Sequence, residues 1–173
     1  MPSHLSPRRW STVNSMSLDD LLPELPSEIT LVPFNPAHAL VMRVTDRHAL
    51  SMHENLSLAN VMHAQAATGH AITVLLNGTP AACFGSVQVW NGVEEMWCLL
   101  EERARKYRFA MTKIAVAYRD YRVIAANLHR LQLTVRCADQ RAFRWATAIG
   151  FKLEGQMRRY GPDGSDFYLM SRV

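Results

Sequence analysis

The sequence predicts an α/β fold of the α+β kind, a mixed central sheet flanked by helices, and three observations carry that prediction. Two Asn-Gly pairs, Asn77-Gly78 and Asn91-Gly92, divide residues 71–100 into three apolar extended runs; both residue types tolerate the positive φ of a tight hairpin turn. From Tyr107 the apolar spacing changes to three and four, through Ala110, Met111, Ile114, Ala117, Tyr118, Tyr121, Ile124, Ala125 and Leu128, which is one long amphipathic helix. After it, Leu131, Leu133 and Val135 alternate with Gln132, Thr134 and Arg136, the pattern of a half-buried strand. A strand, a crossover helix and a strand must return in parallel, so the sheet is mixed.

Each element follows in order. Residues 1–28 hold Pro2, Pro7, Pro23 and Pro26 with serines between, and only Leu21, Leu22 and Leu25 offer apolar anchorage, so this stretch reads as an extended arm. The domain proper spans 29–173. Ile29 to Phe34 is a first strand, closed by Asn35-Pro36; Asn35 caps a short helix with Pro36 at its first position. Ser57 caps a second helix to about Thr68, ended by Gly69. Ala71–Leu76, Pro80–Val89 and Val93–Leu100 form an antiparallel meander. The long helix closes at Asn127, a residue suited to a C-terminal cap. Asp139 caps a short helix through Ile149, ended by Gly150, and Phe151–Tyr160 and Asp166–Ser171 are extended around the turn Gly161-Pro162-Asp163-Gly164. The order is β-α-α-β-β-β-α-β-α-β-β.

Composition narrows the function classes. No apolar run approaches the eighteen or so residues of a membrane span, and the N-terminus lacks a secretory pattern, so the expected location is cytoplasmic. Cys83, Cys98 and Cys137 form no C-x-x-C pair and read as strand thiols; the histidines have no metal-binding spacing, and no metal is expected. The net charge of +4 is unevenly placed: residues 103–122 hold seven Lys and Arg against the single acid Asp120. Such a segment suits an anionic ligand. Its aromatics, Tyr107, Phe109, Tyr118 and Tyr121, interleave with the arginines as stacking surfaces do, but their helical spacing turns most of them to the core and argues against nucleic acid.

The run Leu131-Gln132-Leu133-Thr134-Val135 through Asp139, Ala142, Ile149-Gly150-Phe151, Glu154-Gly155, Arg158 and Asp163-Gly164, within this element order, resembles the GNAT superfamily of acyl-CoA-dependent N-acyltransferases. The resemblance is clearest over Val93–Val173. It implies that Val93–Leu100 and Leu131–Val135 splay apart, so that the backbone of Cys98, Leu99 and Leu100 binds the pantetheine arm of acetyl-CoA and stabilises the oxyanion. It further implies a pyrophosphate site at the start of the long helix, where free N–H groups favour anions. The family's loop of Gln or Arg, two residues, Gly, one residue, then Gly or Ala corresponds here to Arg105-Lys106-Tyr107-Arg108-Phe109-Ala110. Arg105, Phe109 and Ala110 suit it, whereas Arg108 replaces the central glycine; its guanidinium either binds phosphate or fills the site.

The short helix departs from the family as well. Asp139 stands where an Asn often opens it, and Ala146 where a Tyr protonates the departing thiolate; Tyr160 or Tyr168 of the last hairpin is left to substitute. Adjacent Glu94 and Glu95 supply candidate bases, and strand alternation sends them to opposite faces, Glu94 with Met96 and Cys98, Glu95 with Trp97 and Leu99. The resemblance thus implies transfer of an acetyl group from acetyl-CoA to an acceptor amine by direct attack. The alternative is a GNAT-like chain without a cofactor site, serving as a binding component; the Trp97 strand, the glycine-free basic helix start and Arg144-Trp145-Ala146 resemble small GNAT-like proteins of tailed bacteriophages, which would imply virion assembly and phage structural partners.

Overall fold

A computed structural model describes residues 16–44, 63, 64, 66, 67 and 70–173. Seven strands form one sheet in the order β1-β2-β3-β4-β5-β7-β6: β1 (Ile29–Pro33), β2 (Ala71–Leu76), β3 (Thr79–Trp90), β4 (Val93–Leu100), β5 (Arg130–Arg136), β6 (Lys152–Met157) and β7 (Phe167–Arg172). The helices are α1 (Pro36–Val41), α2 (Arg108–Ala125) and α3 (Gln140–Ala148). β4 and β5 run parallel and every other neighbouring pair antiparallel, which is the mixed sheet expected.

Local chemistry sets the element ends. Asn77 at φ 49° and Gly78 at φ 75° make the first hairpin turn; in the second only Gly92 is positive, and the β3–β4 register breaks between Gln88 and Trp90. Asn35 accepts the N–H of Ala37 and Asp139 those of Arg141 and Ala142, so both caps lie where expected. Asn127, at φ 48°, ends α2 with Leu128 N–H bonded to Val123 C=O and Asn127 N–H to Ile124 C=O, a paired closure that satisfies the last carbonyls. Gly150 does the same for α3.

Three differences from the expected elements have physical causes. The long helix starts at Arg108 because Glu102–Tyr107 winds as a tighter 3-10 turn. β6 stops at Met157, short of Tyr160, because Arg159 takes φ 53° and gives its N–H to Asp166. Within the stretch read as an arm, Leu18–Leu21 forms a 3-10 turn, and Leu18, Leu22 and Leu25 pack against the main core. The helix expected from Ser57 to Thr68 lies outside the described residues, apart from helical His63, Ala64, Ala66 and Ala67.

The two faces of the sheet differ. Helices α2 and α3 cover one, where Phe84, Met96, Leu131, Leu133, Val135 and Met170 meet Met111, Ile114, Tyr118, Ala146 and Ile149. The other carries α1 over a smaller cluster of Ala39, Met42, Cys83 and Leu99, with Phe34, Val44 and Trp97 at its margin. Beyond that cluster no helix among the described residues covers this face over β5.

Candidate active site

β4 and β5 pair over only three residues, Val93 with Arg130, Glu94 with Leu131 and Glu95 with Gln132. Beyond Glu95 the second half of β4 keeps β3 on one side and has no β5 partner on the other. Glu101 donates its N–H to Ala81 across the β3 ladder. Residues of antiparallel strands alternate between pairs that exchange both bonds and pairs that exchange none. Leu100 and Cys98, one and three residues earlier, therefore aim N–H and C=O away from β3, into the gap. Ser86, opposite Met96, obeys the same alternation by giving its N–H to His70. Leu99, between them, faces β3 and buries its side chain under α1.

The gap leads to the start of α2. Glu101 is buried and fastens this corner, accepting from Arg43 N–H at 2.6 Å and from Arg103, while Val44 meets Glu101 in an isolated bridge. Of the basic segment, Arg103 pairs with Glu101, Arg105 with Glu102 at 2.9 Å, Arg119 with Asp120 at 2.8 Å and Arg122 with Glu94 at 2.6 Å. Lys106, Arg108 and Lys113 have no ion-pair partner among the described residues, and all three are exposed. Arg108 sits at φ −49°, ψ −37°, ordinary helical backbone that makes no demand for glycine. Its guanidinium lies 4.7 Å from the centroid of the exposed Phe109 ring, and Ala110 turns inward, buried. Asp139 spends its carboxylate on capping α3, at 3.1 and 2.8 Å from Arg141 N and Ala142 N.

The two adjacent carboxylates of β4 meet different surroundings. Glu94 is 3% exposed beneath α2, held bidentately by Arg122 at 2.6 and 3.0 Å and by Ser86 Oγ at 2.6 Å. Burial works to raise its pKa, but the bonds from Arg122 and Ser86 outweigh it and hold the carboxyl below its ordinary range. Burial, and then the charge of Arg122, lowers the pKa of nearby His70. Glu95 lies on the opposite, open face, half-buried, its Oε2 accepting from Gln132 Nε2 at 3.2 Å. Its Oε1 has no hydrogen-bond partner among the described residues.

Tyr160 is 52% exposed and edge-on to Phe167 at 5.5 Å; burial first, and the Glu95 charge second, raise its pKa. Tyr168 instead packs on Phe143 at 5.2 Å. Ala146 is buried in the core, and Trp145 donates to Thr112 at 2.9 Å, tying α3 to α2. Glu95 thus lies on the face of β4 opposite Glu94, and Tyr160 feels its charge.

Two features of this face went unread in the sequence. Trp97 lays its indole directly over Gly85, where any Cβ would collide with the ring, and its Nε1 is buried without a partner among the described residues. Phe34 meets the same ring edge-on at 5.7 Å. Gln132, seen only as part of the polar half of a strand, and Arg130, which the strand expected from Leu131 left out, extend the polar surface from Glu95 across β5.

No protein-family model and no curated protein matches the chain. Solved structures do. Ard1 from Thermoplasma volcanium superposes with a TM-score of 0.67 at 18% identity, over 84% of this chain and 97% of that one. A GNAT-family acetyltransferase from Bacillus anthracis gives 0.63 at 14% identity, over 84% and 95%. The yncA protein of Salmonella typhimurium, solved with its cofactor acetyl-CoA, gives 0.60 at 13%, over 84% and 93%. At such identities the likeness is one of fold, and the chain has the fold of the GNAT acetyltransferases. Among the described residues no helix is long and apolar enough to cross a membrane, and no group of three or more His, Cys, Asp or Glu gathers to hold a metal.

Proposed function

We propose that the chain is an N-acyltransferase that moves the acetyl group of acetyl-CoA to an acceptor amine by direct attack. The observation that carries this reading is the edge of β4 beyond Glu95, which has no β5 partner and where Leu100 aims backbone groups into the gap on the chain's way to the N-terminus of α2. An extended amide-bearing arm fits such an edge as an added strand does. Lys106, Arg108 and the first N–H groups of α2 would hold the pyrophosphate, Arg108 acting through its guanidinium in place of the close backbone approach that glycine permits. Bound there, acetyl-CoA supplies the thioester carbonyl that the amine attacks.

The chain's own groups divide the remaining work. Glu95 takes the amine proton at Oε1, since an ammonium has no lone pair for attack. An N–H of the β4 edge donates to the developing oxyanion. Tyr160, whose raised pKa keeps its phenol protonated, would give its proton to the departing thiolate in the role Ala146 cannot fill. One neighbour of the fold is a chimera of the spermidine N-acetyltransferase from Vibrio cholerae and hSSAT, whose named substrate is an amine; this supports the class of acceptor without naming it.

The test is direct. Acetyl-CoA is expected to bind at micromolar affinity and raise Tm, with thiol release when a panel of primary amines is added. No calorimetric signal and no thermal shift at millimolar acetyl-CoA overturns the reading in favour of a binding component that keeps only the fold. That second reading draws its support from Ala146 and Arg108.

A further inference from the structure

The open face carries a hydrogen-bond chain that crosses four strands. Gln132 Nε2 donates to Glu95 Oε2 at 3.2 Å, and Arg130 Nε donates to Gln132 Oε1 at 2.9 Å. Arg130 then grips Glu154 with both terminal nitrogens, Nη1 to Oε1 at 2.8 Å and Nη2 to Oε2 at 2.5 Å. Ser171 Oγ donates to Glu154 Oε1 at 2.5 Å. The register explains the alignment: Gln132 lies opposite Glu95 on one side and Ser171 on the other, and Ser171 opposite Lys152. Glu154 is the extra residue where the β6–β7 register shifts between Leu153 and Gly155, the kind of irregularity that re-aims a side chain.

The chain has a direction, and an arginine sets it. A guanidinium only donates. Gln132 must therefore turn its carbonyl to Arg130, which leaves only its NH2 for Glu95; a flipped amide would set N–H against N–H at one end and oxygen against carboxylate at the other. Glu95 Oε2 is thereby engaged, and Oε1 is the oxygen without a hydrogen-bond partner among the described residues. Arg130 is itself held against rotation by Glu154, whose pKa the bonds from Arg130 and then Ser171 bring down to about 2.

We infer that Gln132 and Arg130 are positioning residues, orienting the Glu95 carboxylate so that Oε1 faces the acceptor amine. This rests on the reading of Glu95 as the base. Neither residue touches the reacting atoms; both act through Glu95, and Glu154 through Arg130. Preorganising a base in this way spares the reaction the reorientation of a mobile carboxylate.

Two measurements test it. In the free protein, side-chain amide NMR of Gln132 is expected to show one exchange-protected Nε2 proton, lost in Arg130→Met and in Glu95→Ala. With acetyl-CoA and the best amine of the panel, Gln132→Met, of similar length but without donors, is expected to lower kcat about tenfold at unchanged KM for acetyl-CoA. Gln132→Glu, nearly isosteric but carrying a carboxylate against Glu95, is expected to lower it further. If Gln132→Met does not fold, Arg130→Lys, which keeps the charge and loses the Nε donor, is expected to lower kcat about threefold. An amide signal indifferent to both Arg130→Met and Glu95→Ala, or kcat within twofold of the parent in both Gln132 variants, overturns the relay while leaving the acyltransferase reading intact. An ordered amide in a chain that transfers nothing overturns that reading, and the positioning role with it.

Discussion

Glu94 and Glu95 are consecutive residues of one strand, chemically identical, and the two faces of the sheet give them opposite occupations. Beneath α2, Glu94 is enclosed by Arg122, Ser86, Tyr118 and His70, so each of its oxygens is engaged and its charge is balanced inside the core. On the opposite face, Glu95 shares one oxygen with Gln132, and the other has no hydrogen-bond partner among the described residues. The covered carboxylate is fully engaged in the core, and the other is the one proposed above as the base. What separates them is the helix that packs on one side only, and not any property of the residues themselves.

The sharpest way to break this comparison is to exchange each for its neutral isostere. Glu95→Gln is expected to lower turnover by about 10²- to 10⁴-fold, the usual worth of a general base, with Tm within about a degree of the parent; equal turnover would remove the distinction. Glu94→Gln is expected to do the reverse, costing about 3 kcal/mol or more of stability in denaturant unfolding because it leaves the Arg122 guanidinium buried without its counter-charge. A loss below about 1 kcal/mol would show that the buried pair is dispensable.

Gly85→Ala probes the open face through its packing. The new methyl falls where the Trp97 ring lies, and displacing that ring is expected to cost about 1–3 kcal/mol, the range for overpacking, with a change in Trp97 fluorescence. The mildest effect is that of acid. Glu94 and Glu154 both have folded pKa values below the ordinary 4.5, Glu154 at about 2. Their contribution is complete above pH 4.5 and fades as pH falls toward the folded values, because the unfolded chain then binds more protons. The exposed Arg130–Glu154 pair is worth under about 1 kcal/mol, so Glu154→Gln is expected to lower Tm slightly at pH 7 and hardly at all near pH 2. A larger loss at pH 2 than at pH 7 would contradict the sign.

The fold was legible where short-range chemistry decides. Asn77-Gly78, Asn127, Asp139 and Gly150 each end or cap an element by backbone geometry that neighbouring residues alone determine, and each lies where the sequence put it. The site was less legible because it depends on what covers what. Alternation separates Glu94 from Glu95 but does not say which face α2 will take, since the ion pair that marks it joins Glu94 to Arg122, 28 positions away. Arg130, Gln132, Glu154 and Ser171 meet only through the β5–β7–β6 register, and Gly85 gains its meaning only from Trp97 across the ladder. The docking of Leu18, Leu22 and Leu25 was likewise missed: their spacing of four and three is that of one helical face, but Pro23 and Pro26 argue against a helix there.

The short seam between β4 and β5 also bears on how the molecule comes apart. Three residue pairs join a four-stranded antiparallel unit, β1 to β4, to a three-stranded one, β5, β7 and β6. Each unit is stitched by its own antiparallel ladders, and the core cluster that runs through Phe84 and Met96 of one and Leu131 and Leu133 of the other also includes Ile114 and Tyr118 of α2. Cooperativity is therefore lodged in that helix more than in the sheet. A cavity at Ile114 would let the two units melt at separate temperatures, and a ligand lying along the seam would draw their transitions together again.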